Sequence, residues 1–189
     1  MNDIVIRPIL PSQRQEWRVL WFESHAAVDF PPKRPSLGDW AKSGERWWER
    51  LHEPTSNEST RGVFIYHKGV LAGAAHYTQR QLPPSLYVDL IYLRKEHRGQ
   101  GLVEATMEWM RQQANTLNCS RLYGYANVNN RAGGRMSERM PNVVATAIPG
   151  DWKIIYDFDL TAPVVFSGPS RPTKPLGAPP RPRAAKRRP

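Results

Sequence analysis

The sequence predicts an α/β (α+β) fold, with one folded domain of about six strands and four helices. Short apolar runs of strand length recur along the chain, and between them lie runs whose apolar residues are spaced three and four apart. A glycine-rich stretch, "RGQG" (98–101), joins an apolar run at 85–93 to an amphipathic run at 102–117. The chain has 189 residues, of which 40% are hydrophobic, which suits one domain with a tail. We assign residues 1–162 to the domain and 163–189 to the tail.

The first elements are a strand and two helices. The run "IVIRPIL" (4–10) predicts a strand. A helix is predicted from about Ser12, because three apolar residues share one face: Trp17, Leu20 and Trp21. After a Pro-rich loop at 29–38, a second helix is predicted over 39–51. Its apolar side would carry Trp40, Gly44, Trp47, Trp48 and Leu51.

The middle of the chain predicts a hairpin, a further strand and a long helix. Residues 62–77 alternate as two strands around a Lys68-Gly69 turn, after a polar loop at 55–60. A second turn at 81–85 leads into the strand at 85–93. The helix at 102–117 has one predicted buried stripe, made of Val103, Met107, Met110, Ala114 and Leu117.

The C-terminal part predicts two more strands, 120–127 and 152–160, with a short and weak helix at 129–140 between them. The tail is predicted to be disordered, since 8 of its 27 residues are Pro and 7 are Lys or Arg. It holds no acidic residue and accounts for most of the net charge of +10. Such a tail could bind nucleic acid or another acidic partner, act as a polyproline ligand, or only solubilise the protein.

Composition excludes several classes of protein. The chain has one cysteine, Cys119, so no internal disulfide can form and a reducing compartment is expected. The N-terminus lacks the basic and apolar regions of a signal peptide, and no apolar run approaches the roughly 20 residues of a membrane span. We therefore expect a cytoplasmic protein with no membrane association. No metal site is predicted, and a homodimer is left open.

The glycine-rich stretch is the main functional signal. A strand that ends in Gly-x-Gly and runs into a helix presents several backbone N–H groups in one direction, and the helix start adds partial positive charge. Gly99 and Gly101 also remove side chains that would keep a ligand away. The residues therefore predict a cradle for an anion, most often a phosphate, although a plain glycine turn is the alternative.

The run "IYLRKEHRGQGL" (91–102) resembles the acetyl-CoA loop of the GCN5-related N-acetyltransferases, the GNAT superfamily. Its Arg98-Gly99-Gln100-Gly101 matches the family's Arg/Gln-x-x-Gly-x-Gly/Ala pattern, with Val103 at the last position. The resemblance implies a mixed central sheet of about six to seven strands flanked by about four helices, and acetyl-CoA as co-substrate. The implied contacts with acetyl-CoA are Ile91, Leu93, Arg98, Gly99, Gln100, Gly101, Leu102, Val103, Asn129 and Asn130.

Catalytic candidates follow from the same resemblance. Asp89 is the leading candidate for proton removal from the acceptor, although it could instead only orient the amine. The period of two places Asp89 on one strand face with Ile91 and Leu93. The other candidates are His76 and Tyr87. The leaving thiolate usually receives its proton from a Tyr, but Met136 or Ser137 stands at that position, so Tyr123 or Tyr125 is considered as a replacement.

The predicted function is transfer of an acetyl group from acetyl-CoA to a primary amine of a small molecule or a protein. Most tryptophans of the first two helices are expected in the core, and one or two would line the acceptor pocket, where aromatic faces favour cations. Four acidic residues could add attraction or only solvate the surface: Glu23, Asp29, Glu45 and Glu49. Two alternatives stay open. One is a catalytically degenerate member with a scaffolding role, and the other is a nucleic-acid-associated acyltransferase that uses the tail.

Overall fold

The computed structural model describes residues 3–27, 35–53, 57–127, 139–140, 142–148 and 153–164. In these ranges the strands are β1 (Ile4–Pro8), β2 (Glu58–His67), β3 (Val70–Gln81), β4 (Pro84–Leu93), β5 (Arg121–Asn127), β6 (Val143–Ala147) and β7 (Lys153–Phe158). The α-helices are α1 (Arg14–Ala27), α2 (Leu37–His52) and α3 (Leu102–Thr116). No helix in the described ranges is both long and apolar enough to cross a membrane.

The seven strands form one sheet in the order β1-β2-β3-β4-β5-β7-β6. Only β4 and β5 pair in parallel, and the other neighbours are antiparallel, so the predicted mixed sheet is confirmed. Strand β6 was not predicted. Four of its five residues are exposed, so it lacks the apolar alternation that marks a half-buried strand.

Two predicted segments fall largely outside the described residues. They are the short helix at 129–140, of which 128–138 are not described, and the tail from residue 165 onward. The described chain ends at Val164, whose backbone N–H donates to Glu108 Oε2 over 2.9 Å. Its side chain also packs against the core. The chain therefore contacts α3 two residues beyond the predicted domain boundary.

The helices cover opposite faces of the sheet. Helix α3 buries Leu102, Thr106, Met107, Met110 and Ala114 on one face. Val103 packs beside them as predicted, whereas Leu117 lies after the last helical turn and is 36% exposed. Helices α1 and α2 cover the other face with a core rich in tryptophan.

Trp21 and Trp40 join α1 to α2. Their rings stack with centroids 4.4 Å apart, and each indole N–H donates to the other residue's backbone carbonyl, over 3.0 and 2.9 Å. Gly44 makes this approach possible, because a Cβ there would lie 2.7 Å from Trp21 Nε1. The two helices are thus held as one unit, with α2 over β2 and α1 over β3 and β4.

The β2–β3 hairpin has the predicted two-residue turn. Lys68 and Gly69 both have positive φ, 52° and 77°, as a tight turn between twisted strands requires. The strands run further than predicted, because β2 already begins at Glu58 and β3 continues to Gln81. The prediction of a loop over 55–60 was therefore wrong for its last three residues, and this brings Glu58 and Thr60 to the site described below.

Candidate active site

The central opening of the sheet lies between β4 and β5. Their parallel pairing covers only four residue pairs, from Ser85↔Arg121 to Val88↔Gly124. Beyond that point β4 continues along β3 to Leu93, and β5 continues along β7 to Asn127. The two strands therefore diverge and leave a gap whose walls are their backbones, beginning at Asp89 on one side and Tyr125 on the other.

The glycine-rich loop lies where β4 ends and α3 begins. Gly99 and Gly101 have φ of 74° and 79°, in the left-handed region that glycine adopts without strain. A Cβ added at either position would meet nothing within 4 Å, so both face open space. Gly101 is the N-cap of α3 and supplies no side-chain cap, which leaves the first amides of the helix available to an anion. The geometry is that of the predicted cradle.

The side chains of the loop bind the protein itself. Arg98 Nε donates to the backbone carbonyl of Leu93 over 3.0 Å, and Gln100 Nε2 donates to that of Glu96 over 2.9 Å. Arg98 thus ties the start of the loop to the end of β4. In this arrangement the cradle is formed by backbone amides, and Arg98 and Gln100 hold it in shape.

A second tie fixes the same loop to α1. Arg94 donates to Glu23 through Nε and through Nη2, over 2.8 and 3.0 Å, and through Nη1 to the Leu71 carbonyl over 3.0 Å. The bidentate guanidinium–carboxylate geometry is among the strongest ion-pair arrangements. Glu23 therefore helps to hold the loop in place through Arg94.

Asp89 occupies a β-bulge in β4. His76 pairs with Leu90 and Tyr77 pairs with Val88, so Asp89 is the extra residue. Bulges re-aim side chains, and this one puts Asp89 and Ile91 on opposite faces of the sheet. Ile91 and Leu93 pack into the core under α3, whereas Asp89 lies on the side of α1 and α2, where it contacts Thr78. The prediction that Asp89 shares a face with Ile91 and Leu93 was wrong.

Two buried threonines support the Asp89 carboxylate. Thr78 Oγ1 donates to Asp89 Oδ2 over 2.7 Å, and Thr60 Oγ1 lies 3.1 Å from Thr78 Oγ1. Because the Thr78 proton is directed at Asp89, the Thr60 hydroxyl is the donor in the second bond. Thr78 and Thr60 are only 1% and 3% exposed, so this relay is shielded from water.

Burial raises the pKa of Asp89 to about 6. The hydrogen bond from Thr78 acts in the opposite direction, as do the nearby charges of Arg50 and Arg80, while Glu58 raises the pKa slightly. The carboxyl group is thus ionised at neutral pH and remains a much better proton acceptor than a surface Asp. A pKa close to the working pH is what general acid–base catalysis favours.

Three tyrosines line the point where β4 and β5 diverge. The ring centroid of Tyr87 lies 5.2 Å from that of Tyr123 and 5.4 Å from that of Tyr125. Tyr123 Oη accepts a 2.7 Å hydrogen bond from Arg80 Nη1. Burial, together with the charge of Asp89, raises the pKa of Tyr87 to about 12. Tyr87 therefore keeps its proton at neutral pH and is better suited to donate one than to remove one.

His76 lies in the middle of β3 and not at the end of a strand, as the sequence suggested. It is 1% exposed, and its Nε2 accepts a 2.9 Å hydrogen bond from Trp17 Nε1. Burial lowers its pKa to about 4. A neutral imidazole enclosed by tryptophan rings is suited to packing and cannot reach an acceptor in the gap. Asp89 is the stronger of the two candidates.

The remaining predicted contacts, Asn129 and Asn130, lie outside the described residues, as do Met136 and Ser137. In the described ranges no group of three or more His, Cys, Asp or Glu side chains is placed to hold a metal ion. The sequence reasoning missed Glu58, Thr60, Thr78 and Arg80. The sequence does contain a sign of them, because Glu58 and Thr60 on β2, and Thr78 and Arg80 on β3, lie two residues apart and so share one strand face. A run of alternating polar residues is, however, easily mistaken for a loop.

Comparison with known proteins identifies the family. The model of the acetyltransferase (GNAT) family matches residues 16–140, which is more than half of the 189-residue chain. The chain therefore belongs to the GNAT family, and the resemblance seen in the glycine-rich loop is confirmed. No curated protein matches the sequence significantly.

Solved structures agree on the fold. An acetyltransferase from Thermus thermophilus is 18% identical with a TM-score of 0.58, over 83% of this chain and 98% of that one. Spermidine N-acetyltransferase from Vibrio cholerae, solved with CoA and spermine, is 14% identical with a TM-score of 0.58, over 82% and 92%. The Salmonella typhimurium acetyltransferase that modifies the N-terminal serine of ribosomal protein L7/L12 is 15% identical, with the same TM-score and coverage.

GNAT acetyltransferases use acetyl-CoA, and the residues of this chain fit it. The left-handed glycines face open space and the start of α3 is uncapped, as the backbone cradle of a diphosphate requires. The gap between β4 and β5 adjoins this cradle through the end of β4. Acetyl-CoA is therefore the co-substrate, and the glycine-rich loop is the candidate site for its diphosphate.

Proposed function

We propose that the protein transfers the acetyl group of acetyl-CoA to a primary amine, with Asp89 as the group that receives the proton of the acceptor ammonium. The observation that carries this proposal is the position of Asp89. The bulge places a half-buried carboxyl group with a pKa of about 6 where β4 separates from β5. The same strand leads four residues later into the end that carries the glycine-rich loop.

The reaction needs an amine that has lost its extra proton. An ammonium group beside ionised Asp89 can pass one proton to the carboxylate, directly or through water, and then attack the thioester carbon. The carbon–sulfur bond breaks and the thiolate leaves with its electron pair. The new amide nitrogen gives up its second proton, which balances the proton that the thiolate takes up. Backbone amides of β4 at Leu93 are suited to stabilise the carbonyl oxygen, as a fixed dipole in a water-poor gap.

Protonation of the thiolate is assigned to the tyrosine group. Tyr87 and Tyr123 lie on adjacent strands at the gap and Tyr125 follows on β5. Tyr125 is 40% exposed and is the most accessible of the three. Because a thiolate is a fair leaving group, its protonation needs less catalysis than removal of the proton from the ammonium group.

The test is the variant Asp89→Asn, which keeps the shape and removes the proton acceptor. Thiol release with a saturating acceptor should fall by roughly 10²–10⁴-fold, while acetyl-CoA affinity stays near that of the wild type. Raising the pH should restore part of the rate, because more acceptor is then already neutral. Asp3→Asn makes the same change in charge just before β1, on the far edge of the sheet, and should have no effect.

Three other results would each change the proposal. A loss confined to KM would make Asp89 an orienting group only. A wild-type kcat at every pH would remove Asp89 from the mechanism. Acetyl-CoA binding with no transfer to any member of an amine panel would favour the catalytically degenerate alternative.

A further inference from the structure

The aromatic faces near Asp89 are already covered by cations of the protein. Arg50 lies over Trp47 with its Cζ 4.8 Å from the ring centroid, and Arg80 lies over Tyr87 at 5.5 Å. On the β5 side, two further cations cover the remaining tyrosines, Arg121 over Tyr123 at 4.3 Å and Lys153 over Tyr125 at 5.8 Å. An aromatic face with a cation above it has little attraction left for a second one.

Two of the four acidic side chains expected to attract a cationic acceptor are also engaged. Glu23 is bound bidentately by Arg94, and Glu45 forms ion pairs with Arg14 and Arg18. Of the other two, Glu49 lies in α2 and Asp29 lies outside the described residues. The attraction that Glu23 and Glu45 could offer to a cationic acceptor is therefore reduced.

Two guanidinium groups lie on the Asp89 side of the site. Arg80 follows two residues after Thr78 on β3, on the strand face from which Thr78 donates to Asp89, and Arg50 reaches the same region from α2 by pairing with Glu58, the cross-strand partner of Arg80. Both also pair with one carboxylate, Glu58. Arg80 Nε lies 3.1 Å from Glu58 Oε1, and Arg50 Nη2 lies 3.7 Å from Glu58 Oε2. The side chains of Arg50 and Arg80 are 49% and 42% exposed. These two solvent-accessible guanidinium groups therefore already bind one carboxylate, and an acceptor carboxylate would have to replace Glu58 at Arg50, where the contact of 3.7 Å is the longer of the two.

We propose that the acceptor is an amine that also carries a carboxylate, which binds at Arg50 and Arg80 while the amine lies at Asp89. Arg50 makes the longer contact with Glu58, so it is the group that an incoming carboxylate engages first. Its guanidinium is preoriented by stacking on Trp47, and a planar fork suits bidentate binding of a carboxylate. This inference rests on the proposed function, since it assumes that the amine is placed at Asp89.

The test compares two acceptors of similar length, 4-aminobutyrate and putrescine, which carry a carboxylate or a second ammonium at the far end. Each is titrated calorimetrically into the full-length protein saturated with CoA, so the readout does not need turnover. We expect 4-aminobutyrate to bind at least about tenfold more tightly than putrescine, a difference of about 1.4 kcal/mol. Peptides that begin Ser-Glu or Ser-Lys make the same comparison for a protein acceptor.

Two substitutions should change the affinity for 4-aminobutyrate in opposite directions. Arg50→Gln should weaken 4-aminobutyrate severalfold and leave putrescine unchanged or slightly tighter, whereas Glu58→Gln should strengthen 4-aminobutyrate because it removes the competing carboxylate. Arg7→Gln, on the exposed edge strand β1, is the matched control and should change neither.

The outcomes decide the proposal without depending on catalysis. Tighter binding of putrescine, equal loss of both ligands in Arg50→Gln, or no binding of either carboxylate-bearing probe would overturn it. A free acid that binds while the Ser-Glu peptide does not indicates a small-molecule acceptor, and the reverse indicates a protein N-terminus. Failure of the Asp89→Asn test with the expected ligand preference intact would overturn the catalytic role alone.

Discussion

Thr78 donates a 2.7 Å hydrogen bond to Oδ2 of Asp89, and the two residues come from adjacent strands, β3 and β4. Thr78 pairs in register with Tyr87, which lies two residues before Asp89 on β4, so Thr78 and Asp89 are diagonal neighbours on one face of the sheet. The bond holds one of the two carboxylate oxygens, Oδ2. It also offsets part of the effect of burial on the carboxyl pKa.

The first prediction follows from that bond. Thr78→Val removes a hydrogen bond to a charged group, so the pKa of Asp89 should rise above its value of about 6, by about one pH unit. The rise of kcat/KM with pH should move to higher pH by the same amount, with little change at its plateau. Thr78→Ser keeps the hydroxyl and should behave like the wild type.

A direct measurement of the Asp89 carboxyl carbon by NMR titration would check the pKa without any assay of activity. A merely structural role for Thr78 would lower stability and leave the titration midpoint of Asp89 in place. That result would contradict the relay from Thr60 through Thr78.

The second prediction tests the cradle with two glycines of the same conformation. Gly101 and Gly69 have nearly equal φ, 79° and 77°, and both face open space. Substitution by Glu at either position brings the same backbone strain and the same charge. Gly101→Glu should weaken acetyl-CoA binding by at least tenfold, about 1.4 kcal/mol, because its carboxylate repels the diphosphate. Gly69→Glu, in the β2–β3 turn, should bind normally.

Calorimetric titration of acetyl-CoA into each folded variant measures the difference. Equal affinity in the two variants would remove the glycine-rich loop from the donor site. An equal loss of acetyl-CoA affinity in both variants would show that backbone strain, and not a charge in the cradle, weakens binding.

The features that local sequence determines were predicted well. The Lys68-Gly69 turn, the Gly99 and Gly101 junction and the Trp17, Leu20 and Trp21 stripe depend on residue type and short spacing, which a single sequence displays. The prediction that Asp89 shares a strand face with Ile91 and Leu93 was wrong, because a bulge is set by pairing with another strand. The alternation of residues within β4 does not show how β4 pairs with β3, so the bulge cannot be predicted from it.

The support of Asp89 was missed for a related reason. Thr60 lies in the polar run "TSNEST", yet it is 3% exposed, because its hydroxyl is satisfied by Thr78. A buried and satisfied threonine looks the same in sequence as one in a loop. Arg80 and Glu58 are cross-strand partners, so their ion pair also appears only once the register is known.

The third prediction concerns the contact between α1 and α2. Gly44→Ala would gain about 1 kcal/mol of helix propensity, but its Cβ would lie 2.7 Å from Trp21 Nε1 and 2.8 Å from Cδ1. The Trp21 ring is held by its hydrogen bond to the Trp40 carbonyl and by a stack, so it cannot easily shift. We expect the free energy of unfolding to fall by about 1–3 kcal/mol.

Gly38→Ala is the matched control, because it lies in the same helix and its Cβ would meet only Ser36 Oγ, at 3.8 Å. It should leave stability unchanged or raise it. Chemical denaturation of the two variants checks both, and a stabilised Gly44→Ala would show that the Trp21–Trp40 contact is loose.

The last prediction concerns stability against pH, where His76 and Asp89 act in opposite directions. The pKa of His76 falls from 6.5 to about 4 on folding, so between these values the unfolded chain binds more protons and stability is lost as the pH falls. The pKa of Asp89 rises from 3.8 to about 6, so the folded protein binds more protons there and stability is gained as the pH falls. The two effects partly cancel in the wild type.

His76→Gln keeps an acceptor for Trp17 but cannot titrate, so its free energy of unfolding should rise relative to the wild type on acidification, by up to about 1.4 kcal/mol per pH unit. Asp89→Asn should show the reverse. Urea denaturation between pH 7 and pH 4 measures both differences, and profiles of the wild type and His76→Gln that run parallel would mean that His76 is not buried as a neutral acceptor.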